Sequence, residues 1–182
     1  IVNLGLRYDS FDPSTQAAKD WSDVYITNGA IDKTKSNYSD VDAYTYINPR
    51  VGFSFPVSDK TKIHAQYGKF TQHPILNRLY LSDTRLASNL TQGNMTVSPN
   101  PSLKPEQTTQ YEVGLTQQMG GYAALGITGF YKEVRDYTMM ANIQNAKVNT
   151  ALFSWAQYMN GDYGVVKGFS FNLNMRRVNG LM

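Results

Sequence analysis

The sequence predicts an all-β chain, an antiparallel up-and-down meander of about six long strands forming an arc of a transmembrane β-barrel. Three observations predict it. Apolar residues recur with a period of two, the connections between strands alternate long and short, and the composition suits a half-lipid, half-water environment. Of 182 residues, 17% are charged and 13 are Tyr, whereas soluble chains average about 25% charged. Mean hydropathy is −0.42 and no apolar run reaches about 18 residues, which excludes a transmembrane helix. A barrel is not excluded, because its polar inward face dilutes any hydropathy average.

The strands follow in order. In the first, about 1–9, Val2, Leu4, Leu6 and Tyr8 share one face against Asn3, Gly5 and Arg7. In the second, about 46–57, Ile47, Val51, Phe53, Phe55 and Val57 oppose Asn48, Arg50, Gly52 and Ser54. The third, about 62–71, sets Ile63, Ala65 and Tyr67 against His64, Gln66 and Gly68. The fourth, about 105–119, begins at Pro105, where a first strand residue can lack a ladder donor. There Thr109, Tyr111, Val113 and Leu115 oppose Gln110, Glu112, Gly114 and Thr116. The fifth, about 123–137, alternates Leu125, Ile127 and Tyr131 with Gly126, Thr128 and Lys132. The sixth, about 158–177, sets Phe169, Phe171, Leu173 and Met175 against Ser170, Asn172, Asn174 and Arg176. No segment predicts a helix with conviction.

The connections carry as much information as the strands. Long polar stretches, 10–44, 72–104 and an irregular 138–158, alternate with the short turn 58–61 and the Gly120-Gly121 hairpin turn. In a meander, all long loops then fall on one rim and all short turns on the other. Outer-membrane barrels have this asymmetry, with long extracellular loops and short periplasmic turns. Loops beyond about 15 residues also argue against a compact soluble sandwich.

Four outward residues span about 20–27 Å along a strand, or about 15–20 Å of height at a tilt of about 40°, near the lower side of the apolar band. Leu4, Leu6, Phe53, Phe55, Val113, Leu115, Ile127, Phe171 and Leu173 are the expected lipid-facing residues. Strand direction places Tyr8, Tyr67, Tyr111 and Tyr131 together at the long-loop rim as an aromatic girdle. Arg7, Arg50, His64, Gln66, Glu112 and Lys132 have the opposite parity, expected to line a watery lumen.

Several phrases then resemble one family, the TonB-dependent receptors of the Gram-negative outer membrane. Asn100-Pro101-Ser102-Leu103-Lys104-Pro105-Glu106, followed by Tyr111-Glu112-Val113-Gly114, resembles the family's N-P-x-L-K-P-E passage from loop to strand. Gly5-Leu6-Arg7-Tyr8-Asp9, Asn48-Pro49-Arg50-Val51-Gly52-Phe53, Phe130-Tyr131-Lys132 with Asp136, and Lys167-Gly168-Phe169 are similar to its strands. One position departs: the family often carries Glu two residues after the glycine matching Gly168, and here Ser170 stands. The resemblance implies a larger barrel of 22 strands with a plug domain, neither of which this chain contains. It also implies location in the outer membrane, energised uptake of a scarce nutrient, and the TonB energy-coupling complex as partner through the parent chain. The expected contacts are outer-membrane lipid, the rest of the barrel and plug, and an unknown small ligand.

No catalytic constellation is present, and no enzyme activity or cofactor is expected. The absence of Cys removes thiolate chemistry, and His64 and His73 alone cannot build a histidine cage. Asp9, Asp12, Asp20 and Asp23 lack calcium-loop spacing. A net charge of +3 gives no nucleic-acid footprint. The candidates for ligand binding are aromatic and basic residues in exposed loops: Trp21, Tyr25, Arg78, Tyr80, Arg85 and Trp155. They could grip a sugar, peptide or chelate by stacking and hydrogen bonding. The sequence begins in mid-pattern at Ile1 and ends without a terminal aromatic, so a fragment is expected. A complete small barrel and an adhesin on a receptor-like barrel remain open alternatives.

Overall fold

A computed structural model describes residues 1–92, 97–161 and 163–176. Strand β1 (Val2–Phe11) is followed by a long connection holding β2 (Gln16–Ala18), β3 (Asp23–Val24), β4 (Ile26–Thr27), β5 (Ala30–Ile31) and β6 (Tyr38–Asp40). Strands β7 (Tyr44–Ser58) and β8 (Thr61–Gln72) form a hairpin. Helices α1 (Leu76–Leu79) and α2 (Asp83–Thr91) occupy the second long connection. Then come β9 (Glu106–Met119), β10 (Ala123–Arg135), β11 (Thr138–Val148), β12 (Ala151–Asn160) and β13 (Tyr163–Met175).

Six of these make one antiparallel sheet in the order β1-β7-β8-β9-β10-β13, with β1 and β13 at its two edges. Each long strand except β13 pairs with the next one in the chain. The register carries the alternation across the sheet, so that Leu4, Val51, Tyr67, Tyr111, Tyr131 and Lys167 stand in one row. The turns explain how the strands return. Asp59 and Lys60 bridge the pair Ser58 and Thr61, and residues 120–122 bridge Met119 and Ala123 with Gly120 at φ +64°, a conformation that favours glycine. Proline shapes the ladder as well. The registered pairing of β7 with β8 begins at Arg50, just beyond Pro49, which has no N–H to give. The Asn48 side chain there reaches Thr71 Oγ1 instead, at 3.0 Å.

The sheet buries none of its large apolar side chains. Leu4 is 79% exposed and Phe171 is 71% exposed, where the core face of a soluble sheet would cover such residues. All the buried apolar residues among those described lie in the long connections, from Ala17 to Ile31, Leu79 to Leu103 and Ala146 to Trp155. The sheet is therefore a wall with two exposed faces, and the apolar core belongs to its loops.

Three expectations are corrected. The second long connection does contain a helix, α2. The Ser82 hydroxyl accepts from Arg85 N–H at its start, Asp83 stands in the first turn, and Leu86, Ala87 and Leu90 form the buried face. The segment 138–158 is not irregular but a β-hairpin, β11–β12. A register shift between Ile143 and Ala146 breaks its alternation, which hid the pattern. The last long strand therefore begins at Tyr163 rather than 158, and Tyr158 pairs with Met140 inside the hairpin. Residue 177, where that strand was expected to end, lies outside the described residues.

Candidate functional site

At the long-loop rim, three separate connections fold into one layer. Strand β11 accepts β3 as a parallel neighbour, with Val148 opposite Val24. The turn residue Asn149 adopts φ +55°, and its side-chain amide clasps Ile26, accepting from its N–H at 2.9 Å and donating to its carbonyl at 3.1 Å. The second connection joins the hairpin where Ser98 N–H donates to Ala156 O at 2.8 Å and Tyr158 N–H donates to Ser98 O at 3.1 Å. Asn160 fastens the foot of the hairpin, accepting from Lys104 N–H at 2.9 Å and donating to Asp136 O at 2.8 Å. The first and second connections meet through Tyr80, whose hydroxyl donates to Pro13 O at 2.8 Å, and through the ion pair Lys33–Asp83 at 2.9 Å. Val24, Ile31, Leu86, Ala87, Leu90, Ala146, Val148 and Trp155 form the shared apolar core.

This layer relocates the ligand-binding candidates. Trp155 is not an exposed loop residue: it is 0% exposed at the centre of the core. A tryptophan in the middle of a hairpin strand turns toward the largest apolar surface available, and here three loops supply it. Trp21 is half-buried and meets the Tyr38 ring edge-on at 6.2 Å. The Arg78 guanidinium lies over the Tyr158 ring at 5.2 Å. Tyr80 is held by Pro13 as above, Tyr25 is half-buried, and Arg85 is exposed on α2. Trp21 and Tyr80 line a cavity of about 60 Å³ between the first two connections, room for about two waters. Asn149, Asn160, Ser98 and Gln157, which tie the layer together, escaped the sequence reading because isolated polar residues in loops carry no periodicity.

Electrostatics in the first connection are local. The Thr34 and Thr27 hydroxyls donate to Asp32 and hold its carboxyl far below the usual carboxylate range. Ser22 does the same, more mildly, for Asp20. Burial pushes the Tyr38 phenol up, and the nearby Asp83 charge adds to that.

The opposite-parity residues share the other face of the sheet. Arg50 stacks its guanidinium on Phe70 at 4.6 Å, and Lys132 sits 5.8 Å above Phe130. Gln66 is in register with Glu112, which accepts from Gln110 at 2.5 Å. Arg7 pairs with Asp9 at 2.7 Å. His64 spans a whole strand to reach Thr128 Oγ1 at 3.3 Å. It can do so because Gly114 lies between them, where a Cβ would fall 2.4 Å from the imidazole. An opening of about 340 Å³ on this face is lined by Arg50, Gln66, Phe70 and Gln110. On the other face the rings of Tyr67, Tyr111 and Tyr131 adjoin at 5.1 and 6.3 Å. Tyr8 is outside that row: it pairs with Ile47, four residues along β1 from Leu4. Among the described residues no group of His, Asp or Glu could hold a metal ion.

Residues 1–181 match the family model described as TonB dependent receptor-like, beta-barrel. The chain belongs to the TonB-dependent receptor β-barrel family. It is accordingly a protein of the Gram-negative outer membrane. Solved structures with the same fold include a double mutant of the Serratia marcescens hemophore receptor HasR in complex with its hemophore HasA and heme. That structure is 20% identical at a TM-score of 0.57, over 97% of this chain and 28% of that one. The Pseudomonas aeruginosa siderophore receptor PirA is 19% identical at a TM-score of 0.55, over 75% of this chain and 26% of that one. The copper transporter OprC is 19% identical at a TM-score of 0.55, over 98% and 24%. The chain thus spans about a quarter of the length of these structures. A comparison with curated proteins returns no match.

Proposed function

We propose that this chain is the wall and three extracellular recognition loops of an energised uptake receptor. Ligand binds the outer side of the loop layer, and a plug domain outside this chain yields to force from the TonB complex. The observation that carries the reading is the division of labour in the fold. Apolar residues on the six-stranded sheet stay exposed, as a lipid-facing wall requires, while the long connections on one rim are organised into a single layer. Leu4, Leu6, Phe53, Phe55, Val113, Leu115, Ile127, Phe171 and Leu173 face lipid in this reading, with Tyr8, Tyr67, Tyr111 and Tyr131 at the outer interface. Arg7, Arg50, His64, Gln66, Glu112 and Lys132 face the lumen and the plug. The ligand is a small, scarce nutrient, and the exposed Arg85 is its first expected contact. No catalytic step is assigned to any residue.

The similar structures include a receptor in complex with heme, a siderophore receptor and a copper transporter, which sets the panel for a test. Cells carrying or lacking the parent receptor are supplied with ferric siderophores, heme or copper salts, with the TonB complex intact or disabled. Accumulation of one probe should fall at least tenfold on losing either component. Accumulation that ignores the TonB complex overturns the energised reading. Unchanged uptake of every probe, with lost surface attachment, favours an adhesin.

A further inference from the structure

The short-turn rim carries a further opening, on the face of the sheet that holds His64 and Gln66. Lys62 of β8 and Thr116 of β9 stand in register there, and one step nearer the turns Gln118, Ala124 and Asn174 make the next row. Two backbone bonds fix its sides. Gln118 N–H donates to Lys60 O, and Arg176 N–H donates to Tyr122 O, both at 2.7 Å. Lys60, Lys62 and Arg176 line the resulting open cleft of about 660 Å³, with Thr116, Ala124 and Asn174 between them.

The cleft is lopsided in charge. Lys60, Lys62 and Arg176 are all exposed, and none of them has an ion pair among the described residues. Asp59 is the one carboxylate on the lining, and it pairs with none of the three. The two lysines stand on the β8 side and Arg176 at the end of β13, three strand spacings away, or about 14 Å. That spread suits charges distributed along a chain better than one compact anion. Carboxylates at positions i and i+4 of an extended peptide are also about 14 Å apart. Between the cations, Thr116, Gln118 and Asn174 offer neutral donors and acceptors to such a peptide's backbone.

We propose that this cleft docks an extended acidic peptide segment of a periplasmic protein. One carboxylate meets Lys60 or Lys62 and a second, four residues along, meets Arg176. The short turns of outer-membrane barrels face the periplasm; the proposal rests on that orientation, and the test separates the two. The probe is a fluorescein-labelled octaglutamate, and its binding to the full-length receptor in mild detergent is read by fluorescence anisotropy at low salt. The Lys60→Ala, Lys62→Ala, Arg176→Ala triple variant should bind it at least tenfold more weakly. A Lys19→Ala, Lys104→Ala, Lys147→Ala variant loses the same charge from exposed lysines of the long connections and should bind as the native receptor does. Labelled octaglutamine should not bind. Heat-shifted gel migration checks that each variant is folded.

Equal affinity of the native receptor and the Lys60, Lys62, Arg176 variant overturns the proposal, as does a failure of octaglutamate to bind the native receptor. An equal loss in the Lys19, Lys104, Lys147 variant overturns it too, because net charge alone then explains the binding. Tighter binding of a soluble short-chain anionic phospholipid than of the peptide has the same consequence. Orientation is read separately with a membrane-impermeant maleimide. Gly121 has open space where a Cβ would be, so Gly121→Cys leaves the turn intact, and its thiol should react only after the outer membrane is permeabilised. Late labelling without peptide binding removes only the docking site. Rapid labelling on intact cells removes the periplasmic orientation itself.

Discussion

Replacing Trp155 by alanine should loosen the loop layer and leave the wall intact. Trp155 is 0% exposed and packs in a core contributed by all three long connections. Truncating a buried tryptophan costs about 3–5 kcal/mol, because the space cannot fully collapse. Here the loss falls on the layer, since the six-stranded sheet draws no buried apolar residue from that core. At about 1.4 kcal/mol per factor of ten, the population of opened loops rises about a hundredfold to a few thousandfold. Limited proteolysis of the full-length receptor reads that population when reclosing outpaces cleavage. Trp155→Ala should therefore be nicked within residues 12–43, 73–104 or 138–160 at least a hundredfold faster. Heat-resistant gel migration of the barrel should not change. Trp155→Phe serves as the graded control. The indole Nε1 has no hydrogen-bond partner among the described residues, so phenylalanine loses volume but no bond and should produce a far smaller effect. Unchanged nicking in Trp155→Ala, or loss of heat resistance to the same degree, would refute the idea of a separate loop core.

The remaining predictions concern single contacts. Gly114→Ala should displace the His64 ring from Thr128 and cost about 1 kcal/mol in denaturant unfolding. The penalty should shrink in a His64→Ala background, the signature of a coupled pair, without vanishing, because the added Cβ would also fall 2.6 Å from Thr128 Oγ1. Asp83→Asn removes an ion pair whose two side chains are 37% and 41% exposed, and should change stability by less than about 1 kcal/mol. The depressed carboxyl of Asp32 gives the first connection an acid-sensitive element. Its stabilisation is complete above the ordinary carboxylate value of about 4 and is lost as pH falls through the lower folded value. Nicking of that loop should accelerate below about pH 4, and Asp32→Asn should flatten the pH dependence. Cysteines at Val113, Ile127 and Phe171 should resist water-soluble maleimide in intact outer membranes, while one at Gln66 should react once the lumen is reachable.

The long strands were legible because a two-faced wall imposes a strict alternation. Residues such as Val113 and Leu115 have one environment and Glu112 and Gly114 another, over a run long enough to rise above local noise. The hairpin β11–β12 obeys a different rule. One face of it is covered by neighbouring loops, its register shifts between Ile143 and Ala146, and its Ala and Asn residues are weak strand formers. Helix α2 left a readable trace, a capping serine before Asp83 and an apolar pair at Leu86 and Leu90, yet its Ser, Asn and Thr content blurs it. Aromatic or basic character in a loop does not distinguish a side chain presented to water from one, like Trp155, that holds three loops together. The distinction depends on contacts between segments more than 50 residues apart, such as Ser98 with Gln157 and Asn149 with Ile26.

The shared core also decides what an antibody raised against this surface would recognise. Each long connection owes its shape to the other two, so the outer surface of the layer is a discontinuous epitope. A peptide copied from residues 138–160 alone would lack the strand from Asp23–Val24 and the helix that hold it in place. Antibodies raised on such a peptide should bind the denatured chain and ignore intact cells. An immunogen that carries all three connections on a barrel scaffold should elicit the reverse.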